Sequence, residues 1–109
     1  MTFPHVSVIV PHYQDLGGLD RCLASLCAQS FPADQFEIIV ADNNSPVGKS
    51  AVEAVIAGRA KLVIATQKGA GPARNCGVAS ATGTWLAFID SDCVAHPKWL
   101  EQGLAALKT

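Results

Sequence analysis

The chain has 109 residues, 50% of them hydrophobic and 16% charged, and a net charge of -1. Folding a chain of this length hides roughly 65% of its extended surface, which is enough for one core and leaves no room for a second. The apolar share excludes an intrinsically disordered tail, and the near-neutral charge excludes a protein whose partner is nucleic-acid phosphate.

Apolar periodicity and chain breakers predict strand and helix alternating four times. The first strand is Val6–Val10, stopped by Pro11; beyond it Leu19, Cys22, Leu23, Leu26 and Cys27 fall at i, i+3, i+4, i+7 and i+8, one stripe of a helix. A turn around Phe31–Asp34 leads to the second strand, Glu37–Ala41, and to a helix from Lys49 to Gly58 with Val52, Val55 and Ile56 inward. After the third strand, Lys61–Ala65, Pro72 suits a first helical position and opens a helix of small residues, Ala73 to Ala81, able to lie close on a sheet. The fourth strand is Trp85–Ile89, and a last helix starts near Pro97 with Leu100, Leu104 and Leu107 on one face. The strands are continuous apolar runs, as parallel strands covered on both faces are. With right-handed crossovers they predict an α/β fold, a Rossmann-like doubly wound parallel sheet of about four strands with flanking helices.

Four cysteines, Cys22, Cys27, Cys76 and Cys93, stand in apolar stretches without a CxxC pair. Neither a zinc site nor a disulfide framework is suggested, and buried reduced thiols are expected. Met1-Thr2-Phe3-Pro4-His5 lacks a basic segment followed by an apolar core, and no apolar run nears the ~18 residues of a bilayer span. A cytoplasmic protein is expected, membrane-associated only in some longer form.

Ligands of open α/β sheets bind beyond the carboxyl ends of the strands. Here those ends carry Pro11-His12-Tyr13-Gln14, Asp42-Asn43-Asn44-Ser45, Gln67-Lys68-Gly69-Ala70-Gly71 and Asp90-Ser91-Asp92. Extended backbone would set Asp90 and Asp92 on one side, roughly 6 to 7 Å apart, a hard-oxygen pair suited to Mg²⁺ or Mn²⁺ shared with a diphosphate. The same three residues could instead be a turn whose aspartates accept backbone N–H groups. Asp42 either starts an Asx turn or accepts from a base N–H or ribose hydroxyl, and Tyr13 either stacks on a base or packs half-exposed. Gly69-Ala70-Gly71 is not a dinucleotide fingerprint, since Arg74 stands at the third glycine position. At a helix start it can still hold phosphate through N–H groups, with the Arg74 guanidinium one turn in. His5, His12 and His96 are expected in surface or capping roles, and no Ser-His-Asp set is assembled.

In this order the four motifs resemble the N-terminal half of a family 2 glycosyltransferase of the GT-A fold. The resemblance runs through Val6–Tyr13, Glu37–Asp42, Gly71-Pro72-Ala73-Arg74-Asn75-Cys76-Gly77 and Trp85–Asp92. It implies that Pro11, Tyr13 and Asp42 hold the nucleoside of a nucleotide-sugar donor, a UDP-sugar foremost, with Arg74 in support. Asp90 would approach ribose and metal, and Asp92 would ligate a divalent cation, Mn or Mg, on the diphosphate. The implied reaction is metal-dependent transfer of the sugar, with inversion, to a hydroxyl of a glycan, lipid or small-molecule acceptor. The family often has Asn where Gln14 stands and a second Asp where Asn43 stands. Residues 1–109 are then expected to be one donor-binding domain lacking the acceptor-binding part and the catalytic base. Glu101, the only acid past Asp92, falls on the solvated face of the last helix. A non-catalytic module for nucleotide diphosphate and metal is the alternative. A fourth strand left at the sheet edge further predicts a homodimer through that edge.

Overall fold

Strand and helix alternate as the periodicity predicts: β1 (Val6–His12), α1 (Leu16–Cys27), β2 (Phe36–Asp42), α2 (Lys49–Ile56), β3 (Lys61–Ile64), α3 (Ala70–Ala79), β4 (Trp85–Phe88) and α4 (Trp99–Leu107). The structure, a computed structural model, describes residues 5–107, so the reading of Met1–Pro4 as lacking a leader lies outside the described residues. All four strands are parallel, in the order β3-β2-β1-β4, with Val6 level with both Phe36 and Trp85 and Ile39 level with Lys61. The chain winds outward from β1 to β3, then returns to the far side of β1, so strand order reverses between β1 and β4.

Alternation along the strands divides the interior in two. Val6, Val8 and Val10 of β1 and Ile38 and Val40 of β2 meet Leu19, Leu23 and Leu26 of α1, Val52 and Ile56 of α2, and Leu100 and Leu104 of α4. On the opposite face Ala41, Ala65 and Ala73 form a small cluster under α3. A fully buried Val, Leu or Ile contributes about 1.5–3 kcal/mol, so most of the hydrophobic stabilisation sits on the α1 side. The small residues of α3 serve close approach, as expected: a Cβ at Gly77 would lie 2.6 Å from Cγ2 of Ile9. β4 is drawn alongside β1 by Glu37, whose Oε2 accepts from Ser7 Oγ at 2.6 Å, Thr82 N at 2.7 Å and Thr82 Oγ1 at 2.9 Å. Burial opposes the Glu37 charge, but these bonds and nearby Lys61 outweigh it and lower its pKa.

Several boundaries differ from expectation for physical reasons. β1 continues through Pro11 to His12. Ile9 turns its carbonyl to β4, accepting from Ile89 N at 3.2 Å, and Pro11, two residues on, faces the same side where the β4 ladder has already ended at Ile9 opposite Phe88. Its missing donor therefore costs no ladder bond. α3 starts at Ala70, which makes Pro72 the third helical residue instead of the first; N–H groups of the first turn have no intrahelical partner, so proline is tolerated there too. α2 ends at Ile56 because Ala57 adopts the left-handed conformation, φ 49°.

Coverage on both faces holds for β1 and β2 but not for β4. There Trp85, Leu86 and Phe88 are exposed, since α3 packs on β1, β2 and β3. Buried thiols are likewise true of Cys22 alone: Cys27 and Cys93 are exposed and Cys76 is intermediate. Cys27 closes α1 and Cys93 follows the turn after β4, both beyond the cover of the sheet. Burial first, then the negative groups Cys93, Asp92 and Asp90, push the Cys22 thiol up to about 11, which keeps it neutral. Leu107, at the end of α4, is exposed. Among the described residues no helix is long and apolar enough to cross a membrane.

Candidate functional site

The four strand ends converge on the switch point between β1 and β4. A cleft of about 330 Å³ lies there, lined by Pro11, His12, Tyr13, Asp15, Asn43, Gly69, Ala70, Ala73, Asp90, Ser91 and Asp92. A second cavity of about 360 Å³ adjoins it and shares Tyr13, Asn43 and Gly69, adding Asn44, Thr66 and Lys68. A larger hollow, about 570 Å³, opens at the other end of the sheet between Phe31, Phe36 and Gly58. Its two cations are already engaged, Arg59 with Asp20 at 2.7 Å and Lys61 with Glu37 at 3.6 Å, and it lies away from the carboxyl ends. Chemistry therefore favours the switch-point cleft over the larger volume.

Beneath the cleft floor lies a polar network. His12 is 2% exposed and Asp42 1%; the alternation that buries Val8 and Val10 turns His12 inward, and the same phase through Ile38 and Val40 turns Asp42 toward it. His12 Nδ1 stands 2.8 Å from Asp42 Oδ1. The Asp15 N–H donates to His12 Nε2 at 3.0 Å, so Nε2 accepts and the ring proton sits on Nδ1, directed at Asp42. Asp42 also accepts from Ser45 Oγ at 2.6 Å and Ser45 N at 2.9 Å. Gln14 N donates to Ser45 Oγ at 2.9 Å, and Gln14 Oε1 accepts from Val47 N at 3.2 Å. Asp15 Oδ1 accepts from Gly18 N at 3.1 Å, capping α1.

Two expectations change here. Of the surface or capping roles expected of His12 the surface one fails, because β1 carries its inward phase past Pro11, while a capping one is seen in the bond that Nε2 accepts from Asp15 N–H, at the N-cap of α1. Asp42 has both oxygens engaged and does not line the cleft; the residue beside it, Asn43, does. Period-two alternation, extended across Pro11 and paired with the same phase in β2, was the signal for both.

Asp90 and Asp92 are exposed at the cleft rim. The backbone between them is a turn, closed by Cys93 N donating to Asp90 O at 3.0 Å, and not the extended spacing expected. Yet the carboxylates do not accept backbone N–H groups: among the described residues their one side-chain hydrogen bond is from Cys93 Sγ to Asp92 Oδ1, at 3.5 Å. That bond first, then desolvation and the charges of Asp92 and Asp90, raises the Cys93 pKa. One ligand atom from each of Asp90, Asp92 and Cys93 falls within 4.8 Å of the others. Two uncommitted hard oxygens at that separation fit a small divalent cation.

Tyr13 is 57% exposed and walls both cavities, and Pro11 lines the cleft. Arg74 is exposed on α3 and lines neither cavity, because Ala73 and Gly77 take the positions facing the sheet. Glu101 is exposed and accepts from Ser30 Oγ at 2.7 Å, past the far end of α1.

Residues 7–109 match the family model described as glycosyl transferase family 2. Glycosyltransferase AglE of Haloferax volcanii is 34% identical over 110 residues, covering 97% of this chain and 36% of that protein. Among solved structures, residues 1–349 of S. aureus TarS in complex with UDP superpose with a TM-score of 0.78 at 28% identity, over 94% of this chain and 32% of that one. The mannosyltransferase PcManGT from Pyrobaculum calidifontis, in complex with GDP-Man and Mn2+, gives 0.71 at 28% identity, over 86% of this chain and 29% of that one. The chain thus spans about a third of the length of these relatives.

Proposed function

Because the chain belongs to glycosyl transferase family 2, we propose that its strand-end cleft holds a nucleotide-diphosphate sugar for metal-dependent transfer, with inversion, to an acceptor hydroxyl. The observation that carries this reading is the pair of exposed carboxylates, Asp90 and Asp92, lining the same switch-point cleft as Tyr13. The Tyr13 ring offers a stacking face for the base, with Pro11 and Asn43 lining the same cleft, while Asp42 fixes the wall through its bonds with His12 and Ser45. Asp90 and Asp92 would hold Mn²⁺ or Mg²⁺. When bound, such an ion offsets the charge of the diphosphate leaving group. The N–H groups of Ala70 and Gly71, at the start of α3, add partial positive charge beside the cleft. Asp15, the remaining acid in the cleft, is committed to capping α1. We therefore take residues 1–109 as the donor-binding part, with the proton acceptor and the acceptor site for a glycan, lipid or small molecule supplied elsewhere in the full protein. A UDP-sugar is the first choice of donor, as the TarS structures with UDP and UDP-GlcNAc cover 94% of this chain. Four free thiols, two of them exposed, support a reducing, cytoplasmic location.

Calorimetric titration of UDP-, GDP- and TDP-sugars with and without Mn²⁺ tests the reading. One donor is expected to bind only with metal, and the isolated 109 residues to turn it over slowly or not at all. No metal-dependent binding of any donor would overturn it. Tight binding without transfer by a longer form as well would favour a non-catalytic module.

The exposed apolar residues of β4, the terminal strand, favour pairing of two copies along that edge. Sedimentation velocity is expected to show concentration-dependent dimers, and Leu86→Lys to return monomers. A monomer at high concentration in the parent chain counts against the edge as an interface.

A further inference from the structure

We propose that Asn43 is a positioning residue: its carboxamide ties down the loop from Thr66 to Gly69 as one wall of the cleft, and an aspartate cannot do the same work. Asn43 Nδ2 donates to Ala65 O at 3.1 Å and to Gln67 O at 2.6 Å, and Oδ1 accepts from Gly69 N at 2.9 Å. Its own N–H donates to His12 O at 2.8 Å. One side chain at the end of β2 therefore meets three main-chain groups of the link between β3 and α3. That link brings Thr66, Lys68 and Gly69 to the cavity that Tyr13 also walls. Gly69 enters α3 at φ +121°, a conformation open to glycine, and its N–H is the group that Asn43 Oδ1 holds.

The partners specify the amide. Both Nδ2 hydrogens point at carbonyl oxygens, so a flipped amide would set Oδ1 against two acceptors and Nδ2 against a donor. An aspartate could keep the bond from Gly69 N–H, but its other oxygen would face Ala65 O and Gln67 O with no hydrogen between. Two hydrogen bonds would become two repulsions.

The inference rests on the donor-binding reading, so the test has one arm that needs donor and one that does not. In calorimetry with a UDP-sugar and Mn²⁺, Asn43→Asp is expected to bind about tenfold more weakly than the parent chain, the consequence of losing two hydrogen bonds. Asn43→Ala is expected to bind no better than the parent. In NMR of the parent without ligand, both Asn43 side-chain amide protons are expected to exchange slowly and the Gly69 N–H to be protected. Gly69 protection should survive in Asn43→Asp and vanish in Asn43→Ala. Donor affinity equal to or above the parent in Asn43→Asp, or Asn43 side-chain protons exchanging as freely as in a peptide, would overturn the proposal. If the parent binds no nucleotide sugar, the donor reading fails and the exchange rates still decide the tether.

Discussion

Asp92→Ala is expected to remove metal-dependent donor binding while leaving the fold as stable as before. Loss of a residue one shell away from a metal costs 10–100-fold in affinity as a rule, so loss of a direct carboxylate ligand should exceed about a hundredfold. Stability should hardly change. The side chain is exposed and its one hydrogen bond is from the Cys93 thiol, and surface substitutions of this kind stay within about 0.5 kcal/mol. Asp92→Asn separates charge from shape: it keeps the outline of the side chain, loses the anion, and should bind nearly as poorly as the alanine variant. Calorimetry with and without Mn²⁺, alongside urea unfolding, measures both sides. Metal-dependent binding of unchanged affinity in Asp92→Ala would refute the assignment.

His12→Ala should show the opposite profile, a large loss of stability. It leaves the buried Asp42 carboxylate with the two Ser45 donors alone and strands the Asp15 N–H that Nε2 had accepted. Leaving a buried polar group without its partner costs about 1–3 kcal/mol, more when the group is charged, so with two groups affected and the Ser45 bonds surviving a loss of about 3 kcal/mol is expected. For a domain near 100 residues each kcal/mol moves the midpoint by about 4–8 °C, so a fall of roughly 12–24 °C is expected. Urea unfolding that gives a loss below about 1 kcal/mol would mean the pair is not the hub the distances indicate. Tyr13→Ala is the contrasting control, since Tyr13 is largely exposed and its loss bears on the cleft wall.

What could be read from residues alone was whatever repeats or ends locally. The valine and isoleucine runs of β1 and β2, the stripe of α1 and the small residues of α3 each carry their own period or volume, so elements, sheet class and the strand-end location of the cleft were legible. Boundaries that depend on a neighbour were not. Pro11 looks like a stop until one knows that β4 ends beside Ile9. Asp90 and Asp92 look extended until Cys93 N–H closes the turn. His12 looks like a surface histidine because nothing in its own sequence window names Asp42, thirty positions on, as its partner. Arg74, promising in a motif, faces away because Ala73 and Gly77 claim the sheet. Burial of Cys27 and Cys93 failed similarly, since the apolar stretch around a residue does not say whether the sheet reaches it.

The two walls of the cleft differ in how firmly they are anchored. Tyr13 and Asn43 hang from β1 and β2, paired over seven residues and stitched below by His12, Asp42 and Ser45. Asp90 and Asp92 hang from β4, which pairs with β1 over four residues and keeps most of its side chains in solvent. Local opening is cheapest where buried contacts are fewest, so the carboxylate side behaves as a loose jaw against a fixed one. A ligand gripping both jaws would spend part of its binding energy tightening β4 onto the sheet. Occupancy of the cleft and order of the edge strand would then rise together.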